Sequence, residues 1–108
     1  MKLITQEELK PYEAQLIAYR RHLHQYPELS FEEFETSQYI ANEMTQLKHA
    51  EVLPLTKTAL LVKFKSGKPG PKIGLRADID ALPIHDERTD SDFVSKNPGK
   101  MHACGHDA

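Results

Sequence analysis

The sequence predicts an α/β fold in which two helices precede the strands of a sheet. Three observations lead there. Leu9, Tyr12, Leu16, Tyr19 and Leu23 recur three and four residues apart, the spacing of one helical face. A second apolar set, Phe31, Phe34, Ile40, Ala41, Met44 and Leu47, follows after a break at Tyr26-Pro27. Beyond Lys48-His49 the texture changes to short apolar runs bounded by turn residues, the pattern of strands.

The first helix is expected from Thr5 to about His24, with its stripe inward and a Thr5/Glu8 capping box at its start. Pro11 removes one helical hydrogen bond, so it suits a first turn better than a helix interior. Tyr26-Pro27 ends the helix, because the residue before a proline is pushed out of the α region. Ser30-Phe31-Glu32-Glu33 has the form of a second capping box, opening a helix of roughly 17 residues. Of the runs Val52–Leu55, Ala59–Phe64 and Ile73–Ala77, the last two read as strands. Between them Ser66-Gly67-Lys68-Pro69-Gly70-Pro71 is a dense turn signal, which predicts that these two pair as a hairpin or meander. Residues 78–100 show little periodicity, many charges and two prolines, the marks of a long functional loop. Repeats and interdomain linkers are lacking, so 1–108 reads as one unit.

Composition narrows the function classes. The 108 residues are 39% hydrophobic and 28% charged, which is ordinary for a folded globular chain. A formal charge of −2 supplies no electrostatic attraction to nucleic acid or an anionic membrane. No apolar run approaches the ~20 residues of a membrane span. The segment Met1–Glu8 turns acidic too early for a secretory signal, and a lone cysteine forms no internal disulfide; both agree with a cytoplasmic protein.

The last residues concentrate the chemistry. Met101-His102-Ala103-Cys104-Gly105-His106-Asp107-Ala108 holds the single cysteine and two of the six histidines. In an extended segment Cys104 and His106 face the same way, and Gly105 between them is free to take positive φ around an ion. Thiolate and neutral imidazole suit a borderline-soft cation such as zinc. Two ligands are half of the usual four, so the others must come from other residues or another chain. The local residues leave open a second role for Cys104, as a small buried hydrophobe. Asp78 and Asp80 follow an apolar run, where carboxylates either serve a ligand site or cap a strand end. His22 and His24 point to nearly opposite faces of a helix and read as helix-end residues. His49 and His85 read as surface residues, and His102 is ambiguous.

Taken in order, three motifs resemble a known family: Arg20-Arg21-His22-Leu23-His24-Gln25-Tyr26-Pro27-Glu28-Leu29-Ser30-Phe31-Glu32-Glu33, Gly74-Leu75-Arg76-Ala77-Asp78-Ile79-Asp80-Ala81-Leu82-Pro83-Ile84, and Met101–Asp107. They are similar to the N-terminal part of the metal-dependent amidohydrolases of the aminoacylase/carboxypeptidase superfamily. The branch is that of hippurate hydrolase, N-acetyldiaminopimelate deacetylase and the auxin-conjugate hydrolases. The resemblance implies the N-terminal part of a zinc-exopeptidase-like catalytic domain, truncated here, with the rest of that domain and a smaller inserted domain absent. It also implies two divalent metal ions (zinc, manganese or cobalt), with Cys104 and His106 matching ligand positions and Asp78 the carboxylate that orients a ligand. Arg76 stands where many relatives have a ligand histidine, and in this branch the cysteine is the replacement. Ala59 stands where relatives often have glycine. The general base and remaining ligands are expected beyond Ala108, so the chain alone is expected to be inactive. The implied substrate is a small N-acyl amino acid or peptide, and relatives often form homodimers. The competing expectations are a metallo-dipeptidase or carboxypeptidase of the same superfamily, and a non-enzymatic metal-binding or interaction module.

Overall fold

A computed structural model describes residues 2–107. It begins with a broken helical rod: α1 (Gln6–Leu9), a 3-10 turn (Lys10–Tyr12) and α2 (Glu13–Gln25). The Thr5/Glu8 capping box is formed, with the Glu8 carboxylate accepting from the Thr5 amide at 2.9 Å and the Glu8 amide donating to Thr5 Oγ1 at 3.3 Å. Pro11 lies in the 3-10 turn, where its missing N–H costs least. The apolar stripe does not all turn inward. Leu9, Tyr12 and Leu16 are exposed, because no element among the described residues packs over that end of the rod. Tyr19, Leu23 and the far end of α2 are the half-buried part.

α3 (Phe34–Thr45) starts later and is shorter than its apolar spacing predicts. Ser30 does not cap it. Glu28 reaches forward instead, its two carboxylate oxygens accepting from the Glu35 amide at 3.2 Å and the Thr36 amide at 2.5 Å. A carboxylate at this end also meets the positive pole of the helix. Phe31 is left outside the helix, exposed, with a left-handed φ of 66°.

The sheet also departs from expectation. β1 (Ala50–Pro54) pairs antiparallel with β2 (Leu60–Phe64), Val52 opposite Val62, around a turn in which Thr56 Oγ1 accepts from the Thr58 and Ala59 amides. α3 packs on this hairpin. Residues 73–77 form no strand, and Ile73 and Leu75 are 86% and 97% exposed. An apolar run becomes a strand only when another backbone satisfies its amides and carbonyls, and here none does among the described residues.

The long loop after Ala77 is irregular, as expected, but firmly tied. Ala81, almost fully buried, donates its amide to the Glu28 carbonyl at 2.7 Å. Leu82 and Met101 exchange two backbone hydrogen bonds at 2.9 and 3.0 Å, closing residues 83–100 into a pinched loop. That loop is fastened to the end of α2: the Lys96 amide donates to the Gln25 carbonyl at 2.8 Å, and Asn97 Nδ2 donates to the Pro27 carbonyl at 2.8 Å. The pinch delivers the chain directly into His102 and Cys104.

Candidate metal centre

One open cleft of about 430 Å³ gathers residues from five stretches, with Thr36 of α3 and Arg88 of the long loop among them. Arg20, Leu23 and His24 come from α2, Asp78 and Ile79 from the segment after Ala77, and Met101 to Asp107 from the chain's last turn. The predicted site residues Asp78, Cys104 and His106 therefore share one cavity. Asp80 does not line it; its carboxylate accepts from Ser30 Oγ at 3.1 Å.

Cys104 and His106 are not on an extended segment. Gly105–Asp107 form a 3-10 turn, closed by the Asp107 amide donating to the Cys104 carbonyl at 3.1 Å. Asp107 returns the bond, its Oδ2 accepting from the Cys104 amide at 3.0 Å. A short polar side chain that competes for nearby backbone amides makes such a turn locally stable. Gly105 is not among the positive-φ residues, so its conformational freedom is not what bends the chain. The turn leaves the Cys104 thiol and His106 exposed at the cleft.

His102 lies against the same cavity, its side chain 9% exposed. Burial pushes its imidazole below the usual histidine range, against the opposing pull of Asp107, whose Oδ2 is 3.7 Å from Nδ1. Its Nε2 is buried with no hydrogen-bond partner among the described residues. Asp78 is engaged by Arg76, whose Nη2 and Nε donate to one carboxylate oxygen at 3.1 and 3.3 Å.

The donor set suits a divalent metal in type and is half-sized in number. An accessible thiol and imidazole in one cleft, with a carboxylate nearby, are zinc-type donors. Among the described residues no group of three or more His, Cys, Asp or Glu side chains is arranged to hold an ion.

A buried pair that local sequence does not reveal stands behind this cleft. His24 Nε2 is 3.1 Å from Asp86 Oδ2, with the two side chains 7% and 1% exposed. Asp86 also accepts from the Ser95 amide at 3.0 Å and the Arg88 amide at 3.2 Å. The Ser95 amide, then the Arg88 amide and His24, hold the Asp86 carboxyl below the usual carboxylate range, outweighing the upward push of burial. As the charged acceptor, Asp86 fixes the proton on His24 Nε2. His24 is a helix-end residue, as its position suggests, but one that is buried against a partner. Its partner is 62 residues away, and no local motif marks it. His22 is stacked on Tyr39 at 3.8 Å between ring centroids, clear of the cleft.

Comparison with known proteins agrees with this arrangement. Residues 74–108, which hold Asp78, Cys104 and His106, match the profile of Peptidase family M20/M25/M40. This stretch resembles that family. The chain is 45% identical over 108 residues to an N-acyl-L-amino acid amidohydrolase of Geobacillus stearothermophilus, covering 96% of this chain and 29% of the relative. It is 51% identical over 100 residues to an N-acetyl-L-cysteine deacetylase of Bacillus subtilis, covering 92% and 24%. A crystal structure from Bacillus subtilis, described as a dinuclear metal binding peptidase of the M20 family, superposes with a TM-score of 0.80 at 45% identity, covering 91% of this chain and 28% of that one. The two helices and the strands after them are therefore the N-terminal part of an M20 catalytic-domain fold. The chain spans between 24% and 29% of the length of these relatives.

Proposed function

We propose that this chain is the N-terminal portion of a metal-dependent amidohydrolase that cleaves the amide bond of small N-acyl amino acids. The observation that carries the proposal is the convergence of Asp78, Cys104 and His106 on one cleft, in a stretch that matches a family with a dinuclear metal-binding member. Cys104 and His106 would each contribute one ligand, and zinc, manganese or cobalt suits that pair. Divalent ions held there would supply Lewis acidity to polarise an amide carbonyl and to lower the pKa of a bound water towards ~7.

The chain's own residues prepare that chemistry. The Asp107 carboxylate holds the Cys104 amide, and so fixes the direction in which thiol and imidazole emerge. Burial pushes the His102 imidazole below the usual histidine range, which disfavours a positive charge beside them. Asp78 stands where a carboxylate can orient a ligand side chain, its charge shared with Arg76. The family resemblance places the general base and the remaining ligands outside these residues, and among the described residues no glutamate lines the cleft, so in this account the 108-residue chain alone is inactive. A small-molecule substrate, a cytoplasmic location and a homodimeric parent belong to the same proposal.

The test is hydrolysis by the longer protein that carries this chain, offered N-acetyl and N-benzoyl amino acids beside dipeptides, with and without a chelator. Metal-dependent release of the acyl group supports the proposal. Turnover confined to dipeptides, or unaffected by the chelator, refutes it.

A further inference from the structure

We infer that His24 and Asp86 act as a positioning pair, holding the Cys104–Asp107 turn in place at the mouth of the cleft; the functional meaning of this role rests on Cys104 and His106 being metal donors. A continuous path of bonds joins the pair to the turn. Asp86 accepts from His24 on α2 and from the amides of Arg88 and Ser95, drawing both ends of the loop onto the helix. Ser95 Oγ then donates to the Lys100 carbonyl at 2.7 Å, and accepts from the Asn97 amide at 3.2 Å. Lys100 is followed at once by Met101, whose backbone is paired with Leu82, and three residues later the Cys104 amide is held by Asp107.

The chemistry of the pair favours geometry over simple stability. A buried charge costs desolvation, and a well-packed apolar pair of equal volume often stabilises a fold as well or better. What His24 and Asp86 supply that apolar side chains lack is direction, since three donors converge on one carboxylate and fix the loop's orientation against α2. His24 also lines the cleft itself, so the pair anchors the loop and supplies part of the cleft's lining. A group bonded directly to a metal ligand is worth about 10–100-fold in metal affinity, and this pair, acting one step further out through the loop, should fall at the lower end of that range.

Amide hydrogen exchange of the longer protein that carries this chain, stripped of metal, tests the coupling directly. In His24→Ala and Asp86→Ala, the amides of Leu82, Met101 and Cys104 should exchange about tenfold faster or more, with the amides of the β1–β2 hairpin unchanged. His24→Gln keeps a side-chain N–H for Asp86 and should stay near the wild type. Should Asp86→Ala fail to fold, the two His24 variants decide the matter. Unchanged exchange at Cys104 in His24→Ala, or an acceleration shared equally by the hairpin, overturns the positioning role. Cobalt(II) titration of the same proteins separates the two ideas. A thiolate-to-cobalt absorption band absent in Cys104→Ser and weakened about tenfold in affinity in His24→Ala supports both. Spectra identical in wild type and Cys104→Ser defeat the ligand assignment, and the exchange data then judge the positioning role alone.

Discussion

Cys104 and His106 stand exposed on a single turn, so their replacement should cost metal before it costs packing. In the longer enzyme, Cys104→Ser and His106→Ala should lose most bound metal and most turnover with little change in circular dichroism. Asp78→Asn should retain much of the metal and still lose turnover, because it removes a charge that orients a ligand and leaves the ligands themselves. Elemental analysis beside kcat decides it: full occupancy and normal turnover in Cys104→Ser would take the cysteine out of the site. Asp86 gives a pH signature of its own. Its folded pKa lies below the unfolded value of about 3.9, so its contribution is fully present above that value and disappears as pH falls through the folded pKa. The Ser95 amide resonance, followed by NMR on acidification, should therefore hold steady above about pH 4 and move only in more acid solution. The two kinds of residue differ in legibility for a physical reason. Cys104 and His106 are adjacent in sequence and chemically rare, whereas His24 and Asp86 are common residue types brought together only by folding.

At the scale of elements, helix starts show how far local pattern reaches. Thr5 and Glu8 form the box their spacing suggests, since Lys2 takes only the other Glu8 oxygen, at 2.9 Å, and leaves Oε2 for Thr5. Ser30 and Glu33 have the same spacing and form none: the Ser30 hydroxyl is drawn to Asp80, while Glu28 takes the free amides of α3. Tertiary partners override a local motif here. Glu28→Ala should accordingly cost about 1 kcal/mol and fray the first turn of α3, as lost caps generally do. Ser30→Ala should leave that turn intact. Urea unfolding with residue-resolved exchange distinguishes them, and equal fraying in both variants would return the cap to Ser30. The strands teach a related lesson. Val52–Leu55 and Ala59–Phe64 found each other across a short turn, but 73–77 carries as good an apolar pattern and pairs with nothing described. A strand is defined by its neighbour, which composition does not supply.

For the whole molecule, the balance of buried and exposed surface is unusual. Ala81 and Pro27 are buried, yet most of the buried residues are polar or charged: His24, Glu33, Thr36, Ser37, Thr58 and Asp86. Large apolar side chains are exposed at both the rod and the extended segment, including Leu9, Tyr12, Leu16, Ile73, Leu75, Phe31 and Phe64. Apolar faces this extensive bind something: a partner, another copy, or the remainder of a longer chain. Since this chain spans 29% of an amidohydrolase it resembles at 45% identity, the faces fit a larger sheet and the helices around it. Produced alone, the 108 residues should therefore self-associate, because uncovered apolar side chains and the free backbone of 73–77 template contact between copies. Light scattering should show mass rising with concentration, and the thermal transition should be broad and low. Leu75→Lys, which changes no contact of a side chain already 97% exposed, should reduce association without lowering stability. A sharp, concentration-independent unfolding of a monomer would show instead that this small core suffices, and that the exposed faces are surface in the full sense.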